Sequence, residues 1–190
     1  MTLTTFDPRT ALVLIDLQQG IVSLETVPHT AAEVVERAVE LADAFRSHDL
    51  PVFLVRVSFG DGDRVPGRTE AAAGAATPPA GWDEIVPQLA DPAAVTVTKR
   101  NWGAFYGTDL DLQLRRRGVT QIVLGGIATS IGVESTARAA HEHGYHVSLV
   151  TDAMADRSAE SHAHSIERIF PRLGELGTTA EVVELLAKTR

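Results

Sequence analysis

Asp16, Lys99 and the segment Gly125-Gly-Ile-Ala-Thr-Ser-Ile-Gly132 are the residues whose types and places point to chemistry. Asp16 ends an apolar run, where a carboxyl group can give or take a proton in partly dry surroundings. Burial there raises its pKa and a nearby lysine lowers it, so the balance depends on geometry. Lys99 follows a short strand pattern and can pair with a carboxylate or with substrate charge. The glycine-rich segment runs from a buried strand into a helix, so backbone N–H groups near its end can face an anion. It lacks the G-x-G-x-x-G spacing of a dinucleotide site. Taken singly, Asp16 reads as a cap or turn residue, Lys99 as an exposed strand-end lysine, and the glycines as a tight connection.

Other chemistries are excluded or weak. The 190 residues include no cysteine, which removes disulfides, thiolate metal sites and a cysteine nucleophile. Ser130 has no histidine or second base near it in sequence and reads as a helix cap. Asp61-Gly-Asp63 opens like a calcium loop but has no glutamate at its twelfth position. His141 and His143 lie two apart on a helix and face different ways, as do His162 and His164; all four read as surface histidines. No metal and no cofactor is expected.

The elements that must position these residues alternate. Ala11–Ile15 is an unbroken apolar run, as expected of a strand covered on both faces. Residues 31–47 carry Val34, Val35, Ala38, Leu41, Ala42 and Phe45 at helical spacing. Strands follow at 52–55, 95–98, 121–124 and 146–150. Helices are expected at 109–117, about 131–143, 159–170 and 178–187, the last with Val182, Val183, Leu185 and Leu186 toward an apolar surface. Such alternation implies a three-layer, doubly wound α/β fold with a mainly parallel sheet and helices on both faces. Ligands in such sheets bind beyond the carboxyl ends of the strands, the edge that Asp16, Lys99 and the glycine-rich turn share. Residues 58–79, rich in Gly, Ala, Asp and Pro, read as a long surface loop.

The length fits one domain over 1–190, with no repeat or linker. A net charge of −8 argues against nucleic-acid or anionic-membrane partners. Arg115, Arg116 and Arg117 close a helical pattern, where cations complement the helix dipole. Asp7 and Arg9 precede only a short apolar run, so neither a signal peptide nor a membrane span is expected, and a cytoplasmic protein is.

Three blocks together resemble the signatures of the isochorismatase-like hydrolases. They are Leu14-Ile-Asp-Leu-Gln18, Thr98-Lys-Arg-Asn-Trp-Gly-Ala-Phe105, and Gly125 through Thr136, in that family's order and spacing. The resemblance covers essentially the whole chain. It implies that Asp16 and Lys99 match the aspartate and lysine of an Asp, Lys, Cys triad, with Gly132 at the cysteine position. It also implies a cis peptide before Ala128, and no zinc site, because residues 56–62 hold no histidine. Isochorismatases proper carry glycine there too. In them the aspartate protonates a vinyl ether and water attacks the oxocarbenium carbon, with no covalent step.

The expectation is therefore a cysteine-independent hydrolase of a small, anionic, cyclic substrate. Asp16 would be the general acid or base, and Lys99 would position it or bind substrate charge. Gln18, Trp102, Phe105, Ala128, Ile131 and Gly132 are the expected substrate contacts, with Gln19 and Tyr106 nearby. Arg64 and Arg68 read as solvated loop arginines. An amide hydrolase using activated water, or a ligand-binding or scaffold member without catalysis, are the alternatives. A homo-oligomer, dimer or higher, is implied by the resemblance.

Overall fold

The computed structural model describes residues 2–59 and 78–189. Arg64, Arg68 and the Asp61–Asp63 segment lie outside the described residues. Six parallel strands form one sheet in the order β3-β2-β1-β4-β5-β6. They are β1 (Thr10–Ile15), β2 (Val52–Val57), β3 (Val95–Lys99), β4 (Gln121–Ile127), β5 (His146–Ala155) and β6 (Glu175–Gly177). Among the described residues no helix is long and apolar enough to cross a membrane.

β1 is central because every one of its residues is buried. The short helix α1 (Gln19–Val22) follows β1. Leu12 and Leu14 pack on one face with α2 (Ala31–Ser47) and α6 (Thr179–Thr189). Ala11, Val13 and Ile15 pack on the other with α3 (Leu110–Arg116) and α4 (Glu134–Glu142). Each such side chain contributes roughly 1.5–3 kcal/mol by leaving water, which is why an unbroken apolar run belongs here. α2 begins in a capping box: Thr30 Oγ1 accepts from the Glu33 N–H at 3.2 Å, and Glu33 accepts from the Thr30 N–H at 2.8 Å. Its six expected apolar residues are all buried.

This strand order places the topological switch between β1 and β4. The chain leaves β1 toward β2 on one side and leaves β4 toward β5 on the other. Ligands of such sheets bind beyond the carboxyl ends of the strands at this switch point. Asp16 and the glycine-rich turn follow the two strands that bound it.

Three differences from the sequence expectation have local causes. The helix expected from about 131 starts instead as a wide turn over Thr129–Val133, in which the Val133 N–H reaches back to the Ala128 carbonyl. Such five-residue turns recur at functional sites. α5 is only Ala159–His164, because another wide turn (Ser165–Ile169) and a 3₁₀ turn around Pro171 unwind the rest. β5 runs on to Ala155 past a register shift opposite Leu124 and Gly126, and β6, three residues long, is too short to show a period.

Candidate active site

Each site residue is held by the end of a strand. Asp16 leaves β1 with φ 55°, a left-handed conformation that aspartate tolerates better than most residues. Its N–H donates to the Val55 carbonyl at 2.8 Å, and its carbonyl accepts from Gln18 N–H at 2.9 Å. Lys99 closes β3 in register with Val57. Its ammonium lies 2.8 Å from Asp16 Oδ2 and also donates to the Asn101 carbonyl at 3.1 Å. The lysine and aspartate side chains are only 2% and 8% exposed, so this is a buried ion pair and Lys99 is not an exposed strand-end lysine.

Burial decides the electrostatics. The Asp16 carboxyl is pushed up from 3.8 to about 6 by desolvation, against the opposing charge and hydrogen bond of Lys99. Its second oxygen, Oδ1, is buried and has no hydrogen-bond partner. An acid that is half-protonated near pH 6, with a free oxygen, is equipped to deliver a proton.

The β4–α4 turn closes on this pair. A Cβ at Gly126 would stand 2.1 Å from the Ile15 carbonyl oxygen, and its φ is +126°, so only glycine fits where β4 passes the end of β1. Gly132 has an ordinary φ, yet a Cβ there would stand 2.9 Å from Ile15 Cγ2 and 3.1 Å from Asp16 Oδ2. The absence of a side chain at 132 lets the turn approach the carboxylate. Asp16, Lys99 and Gly132 thus meet at one point. The Ile127–Ala128 peptide is cis, and the Ala128 carbonyl accepts from the N–H groups of Ile131 and Val133, each at 3.2 Å.

The isochorismatase domain model matches residues 10–181. The chain belongs to the isochorismatase family. It is 49% identical over 180 residues to the isochorismatase family protein YwoC of Bacillus subtilis, covering 93% of each chain. An isochorismatase family protein from Burkholderia thailandensis superposes with a TM-score of 0.91 at 46% identity, covering 96% of this chain and 98% of that one. A cysteine hydrolase from Pseudomonas syringae is 26% identical, with a TM-score of 0.81 over 98% and 97% of the two chains.

In this isochorismatase-family chain the other expected contacts take different places. Gln18 is buried, and its amide is spent on backbone: Nε2 donates to the carbonyls of Val57 and Trp82, and Oε1 accepts from the Val57 N–H. It locks the loop after β1 to the end of β2. The Ile131 N–H, expected to face ligand, is taken by Ala128, because the wide turn closes on that carbonyl. Phe105 is core and not pocket wall: its ring stacks on His143 at 5.0 Å and tilts against Tyr145 at 5.9 Å. Trp102 and Tyr106 are exposed. The Trp102 carbonyl faces position 132, and Thr136 ties this loop down by accepting from Ala104 N–H and donating to the Gly132 carbonyl.

Sequence reasoning missed the brace behind the turn. Ser130 caps nothing; its N–H instead donates to Asp156 Oδ2 at 2.7 Å. His162, read as a surface residue, is buried with Nδ1 2.9 Å from Thr129 Oγ1. The missed signal is Asp156, which follows the apolar Ala153-Met-Ala155 at the end of β5 as Asp16 follows the apolar run of β1.

Proposed function

We propose that the chain is a hydrolase that cleaves a small, anionic, cyclic vinyl ether with Asp16 as general acid and no covalent intermediate. The observation that carries this reading is the buried Asp16–Lys99 pair, with a free Oδ1 and a carboxyl near 6, closed over by a glycine that offers no nucleophile. Gly132 stands at the family's cysteine position by the resemblance of its sequence block. No thioester can form there.

The protonated carboxyl of Asp16 gives its proton to the terminal carbon of the substrate double bond, which becomes a methyl group, and leaves an oxocarbenium carbon. Lys99 steadies the carboxylate that remains. Water adds to the cationic carbon and returns a proton to Asp16. The resulting hemiketal splits into a ketone and an alcohol. General acid catalysis of this kind contributes typically 10²–10⁴-fold in rate.

Turnover of isochorismate in D₂O tests the reading. One deuterium is expected in the methyl group of the released ketoacid, and Asp16→Asn is expected to lower kcat by roughly 100-fold or more with little change in binding. Near-normal turnover by Asp16→Asn would refute Asp16 as the acid. An amide panel hydrolysed faster as pH rises would favour Asp16 as a base that activates water.

A further inference from the structure

The turn that carries Gly132 is held from behind by residues the proposed reaction does not use. Asp156, at the end of β5, accepts from Ser130 N–H through Oδ2 and from the Arg157 and Ser158 N–H groups through Oδ1. Ser165 donates to Glu134 at the start of α4 at 2.6 Å. Between these two ties lies the Thr129–His162 contact, with the threonine fully buried and the histidine 8% exposed. Asp156, His162 and Ser165 thus grip residues 130, 129 and 134, the stretch that sets where Gly132 stands against Asp16.

We propose that His162 is a positioning residue: through Thr129 it fixes the turn so that Gly132 closes on Asp16 Oδ2. It lies 33 residues from Thr129 in sequence, and only the packing of α5 on the turn brings it there. An imidazole in this place offers what an apolar residue cannot, a ring nitrogen for a hydroxyl that would otherwise be buried unpaired. A threonine side chain with one bond to one ring has its rotamer set by that ring.

The surroundings make the contact sensitive to acid. Burial, followed by His29 from the segment before α2, holds the imidazole below its ordinary value of 6.5, and Asp156 opposes them. Glu134 of α4, across Ser165, is paired with Arg138. Protonation puts a charge into a nearly dry site beside another histidine. The turn should therefore shift as pH falls below 6.5.

This inference rests on the proposed acid role of Asp16 only for its kinetic arm. The first arm needs no substrate: backbone amide signals of residues 129–132 are followed by NMR from pH 8 to 5 in the native chain and in His162→Asn. The expected result is a titration of those amides below pH 6.5 that tracks the His162 ring signal and is lost in His162→Asn. Any titration surviving that substitution belongs to Asp16. Amides that titrate identically in both chains overturn the proposal, whether or not the protein hydrolyses anything.

The second arm is turnover of isochorismate. Thr129→Val and His162→Leu should each lower kcat roughly 100-fold, as small misplacements of a site do, with KM changed much less. The double variant should lose no more than the worse single, while Thr129→Ser and His162→Asn should stay within a few-fold of native. His162→Asn should also lose the acid-side limb of the pH profile. Losses by Thr129→Val and His162→Leu that multiply in the double variant, or a KM effect alone, would contradict a shared positioning role. Normal amide titration with no turnover in any chain would instead refute the proposed reaction and leave the brace in place.

Discussion

Replacing both members of the Asp16–Lys99 pair should cost less stability than replacing either one. The raised carboxyl sets the magnitude. Its folded pKa lies near 6 against 3.8 when free, so folding favours the protonated form. That contribution is fully present below pH 3.8 and is lost as pH rises through 6. Above that, the ionised carboxylate costs the fold about 3 kcal/mol, from roughly two pKa units at 1.36 kcal/mol each. Asp16→Asn removes that cost but strands an ammonium that is 2% exposed. Lys99→Met strands the carboxylate instead. Each single substitution should destabilise by about 3–5 kcal/mol, whereas Asp16→Asn with Lys99→Met should be neutral or stabilising by about 1–4 kcal/mol. Urea unfolding at pH 8, followed by circular dichroism with an unchanged m-value, measures all three. Losses that simply add in the double variant would refute the claim that the pair is held at a cost to the fold.

Three further outcomes follow from the same geometry. Gly132→Cys should destabilise by roughly 1–3 kcal/mol through overpacking on Ile15 Cγ2, and combining it with Ile15→Ala should cost at least 0.5 kcal/mol less than the sum of the singles by urea unfolding. Additive losses would mean Ile15 is not what crowds that position. Lys99→Ala should raise KM and lower kcat together in steady-state assays; a pure KM effect would limit Lys99 to binding. Thr30→Ala should lower stability by about 1 kcal/mol through loss of the α2 cap, without altering kcat; an altered kcat would link that cap to the site.

β1 and α2 were legible because burial leaves its period in the sequence. An unbroken apolar run at 11–15 and helical spacing at 34–45 admit few other readings. The blocks around Asp16, Lys99 and Gly132 were legible as a set, since strands alternating with helices bring their ends to one edge of the sheet. The sign of the Asp16 shift was not: two opposing effects had to be weighed, and only the depth of burial showed that desolvation wins. Phe105 and His162 were misplaced for a related reason. A lone aromatic or histidine carries no period, and its environment comes from segments far away in sequence: Tyr145 for one, Thr129 for the other.

The proposed reaction needs Asp16 in its protonated form. The pH dependence of kcat/KM for isochorismate between pH 6.5 and 8.5, above the range where His162 takes up a proton, tests this. A tenfold fall per pH unit is expected above the Asp16 midpoint near 6, absent in the residual activity of Asp16→Asn. A rate that is flat or rises across that range would contradict it.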